Sequence, residues 1–280
     1  MTMTDHSTQT TTITTIAGFP AITASPDGAA ATKAPLVFLH GAFADEACFG
    51  AWVGRAAAHG HPAVSAARRG RHGIGPERAA GLTIQDYLDD TLAVIDAVEQ
   101  QHGAPPVLVG HSLGALLAQL AAERGRARAV ALLAPAPPAM LTAQAIALPR
   151  FAPQMPRIMS GRPFIVGGGA CNALALNRVG EQERPDIHAH LTHESGKVYR
   201  ALMMGTVRVD ASKVAVPVFV AGGDEDRIIS ERLTRKTAKH YGVAAKICPG
   251  HGHWLIGETG WEQLADDVFA WVDAMVSSPR

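Results

Sequence analysis

The sequence predicts an α/β fold: a mostly parallel central sheet flanked by helices, with an inserted cap. Two observations carry the sheet. Short, wholly apolar runs recur along the chain, as expected of strands covered on both faces, and stretches of helical period lie between them. That βαβ alternation favours parallel pairing with helices on both sides. A third observation carries the cap: residues 136 to 205 break the alternation with clustered prolines, Gly167-Gly168-Gly169 and several methionines.

Taken in order, residues 1–10 are polar and Thr-rich and read as a disordered tail. Thr11–Ile16 and Phe19–Thr23 flank Gly18 as an opening hairpin, and Ser25–Thr32 reads as a linker. Leu36–Leu39 is a buried strand, Ala47–Ala58 a helix ended near Gly60, and Ala63–Ala67 a weak strand. Thr83 and Asp86 form a capping-box pattern ahead of Ile84, Leu88, Leu92 and Ile95 at helical spacing. Pro106–Val109 is a strand, and Leu113, Leu116, Leu117 and Leu120 mark a helix. Ala129–Leu133 closes the first part of the core, 11–135. After the cap, the second part, 206–280, holds strands at Val216–Ala221 and Ala244–Cys248 and a helix from Ser230. A second capping-box pattern, Thr259 with Glu262, opens a final helix to Val276.

Composition excludes several function classes. The chain has 280 residues, 47% hydrophobic and 18% charged, enough to build one large core and too apolar for a disordered chain. Lys+Arg 25 against Asp+Glu 25 leaves no net charge, so no nucleic-acid footprint is expected. No apolar run reaches the roughly 18 residues of a membrane span. Cys48, Cys171 and Cys248 are scattered and odd in number, and no CxxC or HExxH occurs, so neither a disulfide framework nor a metal site is expected. The polar start lacks a basic and then apolar leader, which points to a cytoplasmic enzyme.

The chemistry begins at Gly110-His111-Ser112-Leu113-Gly114. A serine hydroxyl is a poor nucleophile until a base takes its proton. A sharp turn between a buried strand and a helix holds such a hydroxyl clear of the sheet, next to the free N–H groups of the helix start. The base must come from elsewhere. His253, in Gly250-His251-Gly252-His253-Trp254, follows the last strand and has Glu258 shortly after it; His251 is the rival. His111 reads as a packing residue, and His188, His190 and His193 as surface or structural histidines of the cap. The carboxylate that orients the imidazole should follow a strand. Asp226 is preferred over Asp224 and Glu225, and Asp210 lies before the strand, at the wrong end of the sheet.

The order Ser112, Asp226, His253 is one of the few known for this constellation. With Leu39-His40-Gly41, the Arg68–Gly73 turn, Gly223-x-x-Asp226-Arg227 and Gly252-His253, it resembles the α/β-hydrolase superfamily, in particular serine esterases and lactonases with a helical cap. The resemblance covers the chain from about Leu36 onward, least well in the cap. It implies a cofactor-free and metal-free hydrolase. Its oxyanion would be held by the backbone N–H groups of Ala42 and Leu113, with Phe43 as a substitute for Ala42. Phe43, His111 and Met140 are the candidate substrate contacts. Three departures stand out: no Gly-Gly-Gly oxyanion motif, Ser230 where proline is common, and an extra residue in Arg69-Gly70-Arg71-His72-Gly73. The implied reaction is cleavage of a small or medium carboxylic ester or lactone by a monomer or homodimer. Thioester, amide or C–C hydrolysis, a hydroxynitrile-type lyase and a non-enzymatic receptor remain open on the same fold.

Overall fold

The computed structural model describes residues 9–27, 33–71, 76–138 and 147–276. The remainder of the expected tail, much of the linker, His72, Gly73 and Met140 lie outside the described residues. Eight strands form one sheet in the order β1-β2-β4-β3-β5-β6-β7-β8. They are β1 (Thr12–Ile16), β2 (Phe19–Ala24), β3 (Leu36–Leu39), β4 (Ala63–Ala66), β5 (Val107–His111), β6 (Ala129–Leu133), β7 (Val218–Gly223) and β8 (Ala245–Cys248). The hairpin β1–β2 pairs antiparallel and β2 meets β4 antiparallel; every other pairing is parallel.

The apolar runs fix this centre. β3, β5 and β6 are buried at every position, because helices cover both faces. On one face pack α1 (Gly50–Ala58) and the last helix, with Trp52, Val53, Leu264, Val268 and Phe269 against Phe38, Val109 and Leu133. On the other pack α2 (Ile84–His102) and α3 (Leu113–Glu123), whose Leu88, Ile95, Leu116 and Leu117 meet Val37 and Leu108. Between β6 and β7 the chain makes an excursion through α4 (Leu148–Phe151), α5 (Met155–Ser160), α6 (Gly168–Leu174), α7 (Arg184–Ala189) and α8 (Gly196–Met203). Helix α9 (Glu231–His240) joins β7 to β8, and α10 (Trp261–Val276) closes the chain.

Two local expectations differ from the structure. The helix expected over 47–58 starts as a 3₁₀ turn, Glu46–Phe49, capped by Asp45 Oδ1 accepting from the Ala47 N–H. The Thr83–Asp86 capping box forms, but Thr259 does not begin α10. As N-cap it would make Gly260 the first helical residue, and Gly260 has φ +93°, so the helix starts at Trp261.

Strand order places the site. β3 connects to β4 on one side and its neighbour β5 connects to β6 on the other, so the connections from these two strands run in opposite directions and open a crevice at their carboxyl ends. Gly41-Ala42 and Ser112 stand at that crevice.

Candidate active site

Ser112 connects β5 to α3 with φ +53° and ψ −116°, a combination suited to glycine. Its side chain makes no capping bond to the helix. The flanking glycines are dictated by space. A side chain at Gly114 would collide with the Leu39 carbonyl, and one at Gly110 with the backbone of Gly114 and Ala115. The bend therefore exists only with glycine on both sides, and it turns Ser112 Oγ toward the loop after β8.

There Ser112 Oγ lies 3.1 Å from His253 Nε2. His253 Nδ1 lies 2.8 Å from Asp226 Oδ2. Asp226 follows β7 and is 4% exposed; its Oδ1 accepts from the Ile228 and Ile229 N–H groups at 2.7 and 2.8 Å, which leaves Oδ2 for the imidazole. The arrangement sets the tautomer: Nδ1 donates to the carboxylate, and Nε2 presents its lone pair to the hydroxyl. The loop that holds His253 is pinned from behind, where buried Glu258 accepts from the Gly252 N–H at 2.7 Å. Burial pushes the Glu258 carboxyl up, and the Gly252 amide pulls it back.

The rivals have other work. His251 turns its Nδ1 to the Pro249 carbonyl at 3.0 Å. Asp224 accepts from the Gly250 N–H at 2.7 Å, and Glu225 pairs with Arg178 at 3.6 Å. Asp210 caps a short turn through Ser212. His188 meets Asn172, and His190 meets Asp45. Among the described residues no cluster of His, Cys, Asp and Glu could hold a metal ion.

His111 packs under the site. Its Nε2 donates to the His253 carbonyl at 2.8 Å, and its ring lies 4.9 Å from the His253 ring. Burial drives its pKa down to about 3, with nearby His253 adding to the effect and the carbonyl contact opposing it. His111 is therefore neutral in the folded chain but takes a proton near pH 6.5 when unfolded. Its stabilising contribution is complete above pH 6.5 and is lost as pH falls toward 3. A loss of about 2 kcal/mol between pH 6.5 and pH 5 is expected from this residue. Urea unfolding across that range should show a flatter pH dependence in His111→Gln, whose amide can still donate to the carbonyl.

The hydroxyl opens on a partly enclosed cavity of about 60 Å³. Ala42, Phe43, His111, Ser112 and His253 line it from the core. Phe151, Val166, Cys171, Leu174, Leu191 and Tyr199 line it from the excursion, and Ile228 and Trp254 complete it. Among the described residues no Lys, Arg, Asp or Glu lines it. Of the other methionines in this stretch, Met159 and Met204 are exposed, and Met155 and Met203 pack beside Phe164 and Tyr199. Sequence reasoning missed Trp254 and Tyr199. The helical stripe Val198-Tyr199-Leu202 marks the buried face of α8 but not what it faces.

The sequence pattern of the alpha/beta hydrolase family matches residues 36–267. No curated protein matches the chain. Among solved structures, a soluble variant of monoglyceride lipase from Saccharomyces cerevisiae, in complex with a substrate analog, is 14% identical with a TM-score of 0.74, covering 96% of each chain. An esterase from Rhodococcus sp. is 19% identical with a TM-score of 0.66, over 94% of this chain and 98% of that one. An N-acyl homoserine lactonase complexed with N-butanoyl homoserine is 15% identical with a TM-score of 0.67, over 97% and 99%. At such identities the likeness concerns the fold. The family pattern spans most of the chain, and with the strand order it shows that this chain belongs to the alpha/beta hydrolase family.

Proposed function

We propose that the protein is a serine hydrolase that cleaves small or medium carboxylic esters or lactones. The observation that carries this reading is the unbroken relay from Ser112 Oγ through His253 to Asp226, opening on an apolar cavity. His253 takes the proton as Ser112 attacks the carbonyl carbon, and Asp226 stabilises the imidazolium that results. The oxyanion is held by the backbone N–H groups of Ala42 and Leu113. Leu113 opens α3, where N–H groups lack intrahelical acceptors, and Ala42 lines the cavity. His253 then protonates the leaving alcohol, and water activated by the same imidazole releases the acid.

Cavity size and lining choose the acyl group. The cavity is small, about 60 Å³, and suits a short acyl group. With no Lys, Arg, Asp or Glu in the wall among the described residues, a carboxylate or phosphate on that group would be desolvated without a charged partner there. The excursion between β6 and β7 acts as a cap that excludes water from the acyl-enzyme.

The test is a panel of p-nitrophenyl esters from acetate to decanoate, with simple lactones. Turnover should be highest among the short-chain esters and fall for the longest or charged acyl groups. Absence of turnover, together with no labelling of Ser112 by an alkyl fluorophosphonate, would overturn the reading.

A further inference from the structure

An oxyanion hole demands a backbone whose N–H points into the cavity. In a trans peptide the N–H and the preceding C=O point in opposite directions. Whatever holds the carbonyl of Gly41 therefore aims the N–H of Ala42. The carbonyl of Gly41 is held by Arg68 and, at 3.0 Å, by His40 Nδ1. From just beyond β4, Arg68 Nη1 donates to the His40 carbonyl at 2.8 Å, and Nη2 to the Gly41 carbonyl at 3.0 Å. Arg68 is 3% exposed, and its guanidinium lies 5.2 Å from the centre of the Tyr87 ring.

The grip acts directly beside the serine. A Cβ built on Gly41 would stand 3.3 Å from Ser112 Cβ and 3.1 Å from His111 Nδ1, so this strand end lies against the nucleophile turn. The far side of Ala42 is tied as well. The Phe43 carbonyl accepts from the Thr192 N–H at 2.7 Å and from its hydroxyl at 3.2 Å. That hydroxyl in turn accepts from Arg71 Nη1 at 3.0 Å. Phe43 itself has φ +62°, a backbone that a bulky residue adopts only when its surroundings impose it.

We infer that Arg68 is a positioning residue for the oxyanion donor: its two-pronged hold on the His40 and Gly41 carbonyls turns the Ala42 N–H toward the carbonyl oxygen of the substrate. This rests on the proposed reading of Ser112 as nucleophile and Ala42 as donor. A planar fork with two parallel donors fixes both carbonyls at once. An ammonium is a point charge on a flexible stem and fixes neither orientation.

The experiment compares wild type with Arg68→Lys and Arg68→Gln, each checked for folding by circular dichroism. Ester kinetics are measured with p-nitrophenyl butyrate, and affinity with an alkyl boronic acid that forms a tetrahedral adduct on Ser112. Loss of one oriented donor is expected to lower kcat by roughly 10²-fold, with KM within about threefold. Boronate affinity should fall by the same factor as kcat/KM. Arg68→Lys should not rescue. If wild type turns over the ester in a Ser112-dependent way and a folded Arg68 variant keeps kcat and boronate affinity within about threefold, the inference is overturned and the hydrolase reading stands. A variant that loses only thermal stability, with kcat unchanged, overturns it too. If wild type shows no Ser112-dependent turnover, the hydrolase reading itself has failed and takes the inference with it.

Discussion

Ser112→Ala is expected to cut ester turnover by roughly 10⁶-fold and to abolish fluorophosphonate labelling, while leaving the melting temperature close to that of wild type. On the proposed mechanism the loss is large because serine, histidine and aspartate act as a unit: without the hydroxyl, His253 and Asp226 have nothing to activate. The backbone N–H groups and the cavity remain, so a trace of catalysis above water should survive. The unchanged melting temperature follows from geometry. Ser112 Oγ caps no helix, and the backbone strain at φ +53° persists with any Cβ. Ser112→Gly separates the two effects. It is equally inactive, yet it should be more stable by about 1 kcal/mol, since only glycine adopts that conformation without strain. Equal stability of the Ala and Gly variants in urea would show that the turn stores no strain.

The second large effect lies where the excursion rejoins the core. Glu194 → Ala is expected to cost about 3–5 kcal/mol, because it leaves the Arg71 guanidinium buried without its counter-charge. Glu194 Oε2 accepts from Arg71 Nη2 at 2.5 Å, and both side chains are fully buried. Glu194 Oε1 accepts from the Tyr87 hydroxyl and the Ser195 N–H, each at 2.7 Å. Burial alone would lower the Arg71 pKa, yet the adjacent Glu194 carboxylate holds it above its ordinary value. The double variant Arg71→Met, Glu194→Leu removes both charges and should recover much of the loss. Recovery should be incomplete, because Thr192 and the His193 carbonyl lose their donor. Urea midpoints of the two single variants and the double measure the coupling. A Glu194→Ala protein within 1 kcal/mol of wild type would contradict the ion pair's role.

How much of this was legible in the sequence depends on the range of the interaction. β3, β5, β6 and β7 announce themselves because a strand covered on both faces has to be apolar at nearly every position. The Thr83–Asp86 box is a contact across three residues and can be read directly. The Ser112, Asp226 and His253 positions are legible for a topological reason: parallel strands deliver the loops after β5, β7 and β8 to the same edge. The failures are non-local. Nothing near Glu194 in sequence signals that it meets Arg71, 123 residues away. Arg68 looks like one more charge in a basic turn, and only tertiary structure shows that it grips two carbonyls. The cavity wall is similarly opaque, since Leu191 or Trp254 would pack as well in any core.

Ser112 and His253 are separated by 141 positions, and β8, the strand before His253, is the last in chain order and lies at the sheet edge. A ribosome therefore presents the hydroxyl long before the imidazole is translated. Until β8 takes its place at that edge, the nascent polypeptide carries a serine without its imidazole partner, and on the proposed reading it has no hydrolytic competence. On that reading, enzymatic output doubles as a reporter of a completed carboxyl-terminal sheet edge.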